Sequence, residues 1–99
     1  MLIVTGIIEV HPDKIGPARA AAIQMMQATR KEQGCHVYEF SQLVETPNRF
    51  RVYEEWEDAA ALKAHGETAH MAAFREALGE IGVVSRKIET IQVGARSQL

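Results

Sequence analysis

The chain opens on an apolar run, Leu2 to Val10, rich in Ile and Val with Glu9 breaking it near its end, which is the pattern of a largely buried strand. His11-Pro12-Asp13 stops it, and Asp13 is a suitable N-cap for a helix. Ile15, Ala18, Ala22, Met25, Met26 and Thr29 then recur at three- and four-residue spacing, an apolar stripe whose helix is predicted to end near Gly34, a residue suited to a left-handed C-cap. Arg30 and Lys31 would favour the negative end of its dipole. From Cys35 to Val44 the pattern alternates, with Cys35, Val37 and Glu39 on one side and His36, Tyr38, Phe40 and Gln42 on the other. Glu45-Thr46-Pro47-Asn48 is a turn, after which Phe50, Val52, Glu54 and Trp56 share one side of a second strand and Arg51, Tyr53 and Glu55 the other. Asp58 can cap a short helix through His65, Gly66 interrupts it, and Thr68 caps another that runs to about Leu78. A last strand is predicted from about Ser85 to Val93.

That order is βαββαβ with the second helix kinked: an α+β, ferredoxin-like fold with a four-stranded antiparallel sheet and helices on one face. Residues 1–94 form a single domain and 95–99 a flexible tail. Both sides of the strands carry apolar or aromatic residues, so the uncovered face is expected to pack against a second copy as a homodimer.

Composition narrows the functions. A chain of 99 residues buries only about two-thirds of its unfolded surface, which also favours a partner. Net charge of -2 and a pI near 6.1, with scattered Lys and Arg, give no footprint for a phosphate backbone, so nucleic acid is not an expected partner. The N-terminal run has no basic flank and is too short to span a bilayer, so no membrane partner is expected and the cytoplasm is the expected location. The single cysteine, Cys35, reads as a small buried hydrophobe.

No dinucleotide-type glycine loop, P-loop or G-x-S-x-G elbow is present, so hydride transfer with NAD, phosphoryl transfer and serine hydrolysis lack their parts. The stretch Tyr53 to Phe74 remains, where Tyr53 and Trp56 can supply flat walls and His65 and His70 can exchange protons near neutrality. On one unbroken helix the two histidines would diverge by about 140°. The break at Gly66 lets both approach one cavity. Their H-x4-H spacing matches no recognised metal signature, and third ligands such as Glu39, Glu54 or Glu67 are placed by no motif, so no metal is expected. Proton-transfer chemistry in a small apolar cavity is left, on an acidic phenol or, alternatively, as an isomerase acting on a lactone; a non-catalytic dimer binding a small apolar molecule is the other reading.

The run E-Q-G-C-H-V-Y-E-F from Glu32 to Phe40, then Thr46-Pro47, F-R-V-Y-E-E-W-E-D and H-x4-H-M-x2-F resembles the antibiotic biosynthesis monooxygenase family, and within it the small quinol-monooxygenase-like proteins. The resemblance covers nearly the whole chain. It implies a dimeric α+β barrel that oxidises quinols or related phenolic and polycyclic molecules, with dioxygen as co-substrate and neither metal nor flavin as cofactor. It further implies Trp56, His65 and His70 as catalytic residues around a cavity between sheet and helices, an imidazole taking the phenolic proton. Tyr38, Phe74 and Met25 are grouped with them as substrate-binding. Where polyketide-oxidising members carry an asparagine four residues before the tryptophan, this chain has Val52. Haem is not expected, because the first strand has no asparagine and Gly66 stands where the haem-degrading branch needs a histidine.

Overall fold

Alternation along the first strand decides which side of the sheet becomes interior. In the computed structural model, which describes residues 1–99, β1 (Leu2–Val10) buries Val4, Ile8 and Val10 on one side. It lies between β3 (Arg49–Trp56) and β4 (Val83–Gln92), and β2 (Cys35–Gln42) pairs with the far edge of β3, giving the antiparallel order β2-β3-β1-β4. Because Val4 is opposite Glu54 and Ile8 opposite Phe50, the even-numbered residues of β3 share the interior face. Helices α1 (Ile15–Thr29), α2 (Ala59–Gly66) and α3 (Ala69–Ile81) close that face. Met25 and Phe74 meet Val4, Tyr38, Val52 and Trp56 in one buried cluster, and Ala18 and Ile81 meet Ile8, Val10 and Phe50 in a second. This is the expected ferredoxin-like α+β arrangement.

Several boundaries differ from the sequence reading, each for a local reason. Asp13 does not cap α1: it lies in a 3-10 turn, Pro12–Lys14, where the His11 ring accepts from its amide, and Lys14 precedes α1 with no side-chain cap. The helix α1 stops at Thr29, not near Gly34. Arg30, Lys31 and Glu32 instead form a turn, with the Glu32 amide donating to the Thr29 carbonyl at 2.9 Å. Gly34 does take the left-handed conformation, φ 83°, but its second use is closeness, since a Cβ there would sit 2.6 Å from that of Ala61 on α2. Helix α3 runs on to Ile81 because that residue is buried in the second cluster, and Gly82, at φ 88°, turns the chain into β4 at Val83. β2 ends at Gln42, where the Leu43 amide closes the hairpin onto Arg49.

An irregularity between Cys35 and Val37 separates two residues that simple alternation puts on one side. Cys35 packs against the interior cluster, whereas Val37 pairs with Glu55, on the outer face. That outer face is not a plain apolar patch. Ile3, Ile7 and Ile91 alternate there with Arg51, Lys87 and Glu89, and the Tyr53 hydroxyl donates to Glu55. Tyr53 is therefore on the opposite side of the sheet from the interior, and cannot wall a cavity under the helices. The Arg96 guanidinium meets both Glu55 oxygens at 3.2 Å, so the C-terminal segment is tied to the sheet at that point. No helix is long and apolar enough to cross a membrane.

Candidate active site

Helix α2 begins where the Asp58 carboxylate accepts from the Ala61 amide at 2.8 Å, and it ends with His65 and Gly66. Thr68 fastens the break: its hydroxyl donates to the His65 carbonyl at 2.8 Å and accepts from the Met71 amide at 3.2 Å. The chain thereby changes direction just before His70, in the first turn of α3. The two imidazoles then converge on one carboxylate. His65 Nδ1 lies 2.8 Å from Glu32 Oε2, and His70 Nε2 lies 2.7 Å from the same oxygen. The break at Gly66 thus brings the two rings together, but at a carboxylate and not at one shared cavity, and that carboxylate, Glu32, has no marker in the sequence. It comes from the turn that replaces the last predicted turn of α1, 33 and 38 residues away from its partners.

The His65 ring is buried beneath Trp56 and Tyr38, with ring centroids at 4.8 and 5.5 Å. Its Nδ1 is taken by Glu32, and the residue also borders a cavity of about 190 Å³. This cavity lies between the interior sheet face and the two later helices, walled by Val4, Val52, Ile88, Phe40, Phe74 and Leu78. Its polar groups are Tyr38, Glu54, His65, Arg75 and Arg86. An apolar chamber with a few polar groups is the usual form of a small-molecule site.

Glu54 is the second residue the sequence reading did not place. It sits among Val52 and Trp56 on the interior face of β3, only 6% exposed, and Oε1 accepts from the Trp56 indole N–H at 2.8 Å. Burial pushes its carboxyl up to about 7; the Trp56 hydrogen bond pulls the other way, and the charge of Glu32 adds to the rise. The remaining oxygen, Oε2, takes no hydrogen bond within the protein, and the residue lines the cavity. Burial, reinforced by the charges of Glu54, Cys35 and Glu32, also raises the Tyr38 hydroxyl far above the ordinary tyrosine value, so it can donate a proton in a hydrogen bond but does not ionise near neutrality.

The six residues named from the sequence are divided by the structure. His65, Tyr38 and Phe74 line the cavity. Trp56, fully buried, stands behind it and orients Glu54. His70 and Met25 instead border a smaller cavity of about 80 Å³ between α1 and α3, with Phe74 as the shared wall. His70 therefore reaches the main cavity only through Glu32 and His65. The third donor that the H-x4-H spacing lacked is also Glu32: one donor atom from each of Glu32, His65 and His70 lies within 4.8 Å of the others.

Cys35, near this cluster, has its thiol pushed up to about 11 by burial, then by the charges of Glu32 and Glu54 against the opposing Arg30. Against the ordinary 9.0, this leaves about a hundredfold less thiolate at pH 8. Alkylation of the folded chain by iodoacetamide is expected to be slower by at least that factor than in urea. Equal rates in the two conditions would contradict this reading of the thiol.

A model of the family described as antibiotic biosynthesis monooxygenase matches residues 1–77. Over 74 residues the chain is 35% identical to a Bacillus subtilis (strain 168) protein named "Putative monooxygenase YcnE", spanning 75% of this chain and 78% of that protein. A Deinococcus radiodurans crystal structure described as a "putative antibiotic biosynthesis monooxygenase" superposes with a TM-score of 0.94 at 25% identity, over 100% of this chain and 98% of that one. The structure of PA3566 from Pseudomonas aeruginosa superposes with a TM-score of 0.87 at 26% identity, over 95% and 94% of the two chains.

Proposed function

The chain belongs to the antibiotic biosynthesis monooxygenase family, and from that premise we propose that it is a cofactor-independent monooxygenase oxidising a quinol or related phenol with dioxygen. The observation that carries this reading is the buried Glu54 carboxyl lining an apolar cavity together with the His65 imidazole, where burial pushes the carboxyl up to about 7. A general base works best when its pKa lies near the working pH. Size favours a compact substrate. An apolar cavity of roughly 150 Å³ accommodates a benzene ring, so 190 Å³ suits one substituted ring better than a polycycle.

In this scheme Glu54 Oε2 takes the phenolic proton. The phenolate passes one electron to dioxygen, and the substrate radical and superoxide recombine to form a carbon–oxygen bond. The proton held by Glu54 returns to the peroxide, giving a hydroperoxide. Its O–O bond then breaks as the hydrogen on the same carbon leaves, producing a carbonyl and water. The substrate supplies all four electrons, one oxygen atom stays in the product, and the other leaves as water. The protein's part is to exclude bulk water, hold the ring and move one proton, with Tyr38 and His65 as hydrogen-bonding groups beside the developing charge.

Aerobic and anaerobic incubation with a panel of one-ring and two-ring quinols tests the reading. Quinone formation that needs both enzyme and oxygen is expected. An acid-base isomerase on the same residues would give product equally without oxygen, and a binding protein would give none; either result would replace the monooxygenase reading.

The same proposal includes a homodimer formed through the outer sheet face. Arg51 and Lys87 there lie among Glu55 and Glu89, so a two-fold axis can set unlike charges opposite one another around Ile3, Ile7 and Ile91. Light scattering is expected to give twice the 11.0 kDa of one chain. A mass of 11.0 kDa at micromolar concentration would exclude it.

A further inference from the structure

We propose that Glu32, His65 and His70 form a binding site for a divalent first-row transition-metal ion of the zinc and cobalt type. Two imidazoles and one carboxylate are a ligand set used for such ions, with coordination positions left open for water. Calcium and magnesium prefer all-oxygen shells, and this set offers two nitrogens. The donors come from three separate segments, the turn after α1, the end of α2 and the start of α3, and they are held together before any ion arrives. Their side chains are largely withdrawn from water, at 13%, 6% and 29% exposure for Glu32, His65 and His70.

Two adjustments complete the site. Metal bonds of about 2.0–2.1 Å at a tetrahedral centre put neighbouring donors about 3.3 Å apart. The present nitrogen–oxygen distances of 2.8 and 2.7 Å must therefore open by about half an ångström each. Each imidazole must also offer a deprotonated nitrogen to the metal. His65 Nδ1 and His70 Nε2 become free when the ring protons move to His65 Nε2 and His70 Nδ1, a change of tautomer that breaks no covalent framework. His65 also lines the neighbouring cavity, so an occupied site would fix the ring proton of a cavity-lining residue on Nε2. The ion would sit beside the substrate chamber and not within it.

The inference stands apart from the oxygenase reading, and its test uses the metal alone. Chelator-stripped full-length protein is titrated with Co²⁺, followed by visible ligand-field absorption and by the unfolding midpoint. Saturable binding at one ion per chain, a midpoint rising with Co²⁺ or Zn²⁺ but not Mg²⁺, and displacement of Co²⁺ by Zn²⁺ are expected. Binding should weaken at least tenfold in His70→Ala and in Glu32→Gln, and stay within twofold in His11→Ala and His36→Ala. Circular dichroism identifies any variant that does not fold; His70, the most exposed of the three ligands, is the safer replacement. No saturable binding by the unmodified protein, or the same affinity in folded His70→Ala, would overturn the proposal.

Discussion

Glu54→Gln is expected to lower kcat for quinol oxidation by about 10²–10⁴-fold, the range a positioned general base contributes, while making the fold more stable at alkaline pH. Glutamine preserves the shape and can still accept from the Trp56 indole, but it cannot take a proton from substrate. The stability effect follows from the raised carboxyl. Its ordinary value is 4.5 and its folded value about 7, so between these limits the unfolded chain releases a proton that the folded chain retains. Ionisation therefore weakens the fold progressively as pH rises from about 4.5, and the loss is complete above the folded value of about 7. The neutral variant escapes that loss. A gain of about 3 kcal/mol at pH 8, shrinking to near zero by pH 4.5, is expected from denaturant titration. A variant less stable than the parent at pH 8 would show that Glu54 is held as a favourable charge, contrary to this account.

Trp56→Ala is expected to cost about 3–5 kcal/mol, because it removes the largest fully buried side chain. It also leaves the Glu54 carboxyl without its hydrogen-bond donor and uncovers the His65 ring. The more informative variant is Trp56→Phe. It retains a ring against His65 and loses the indole N–H whose hydrogen bond favours the ionised Glu54 carboxylate. The acidic limb of the rate profile should then move to higher pH than in the parent, with a smaller loss of stability. If Trp56 were itself a reacting group, Trp56→Phe would abolish turnover at every pH without moving the limb.

The order of strands and helices along the chain and the helix break were legible because each has a short-range cause. Alternation assigns faces to β3, and Gly66 followed by Thr68 marks a stop and a restart within three residues. The site was less legible. Glu32 has no local pattern that points to the histidines, and its position depends on α1 ending at Thr29, which leaves five residues to turn before β2. Glu54 did carry a signal: an acid between Val52 and Trp56 on the interior face of a strand must be buried, and a buried acid is either paired or shifted in pKa. Sequence reasoning weighed it only as a metal ligand without a motif. The histidines were easier to notice and led to a catalytic grouping that the structure separates, with His65 at the main cavity and His70 behind Glu32.

Tyr53 shows the opposite lesson. It follows Val52 in sequence and looks like part of the same aromatic wall as Trp56, yet the two-residue period of a strand puts it across the sheet. Its hydroxyl serves Glu55 on the outer face, where the proposed dimer contact lies. Cys35, expected as a small buried hydrophobe, is only half-buried against the interior cluster, and the irregularity beside it, which sends Val37 to the other face, has no marker in the surrounding residues.

Whether Glu54 acts as the base for oxygenation in the cavity beneath α2 and α3 is decided by oxygen consumption as a function of pH. The parent protein and Glu54→Gln are compared in an oxygen electrode with the best quinol of the panel. In the parent, kcat/KM is expected to rise through a single ionisation near pH 7 to a plateau, and the variant is expected to be slow and to lack this step. No oxygen uptake above the enzyme-free rate, or a variant that keeps the parent's rate and pH profile, would contradict it.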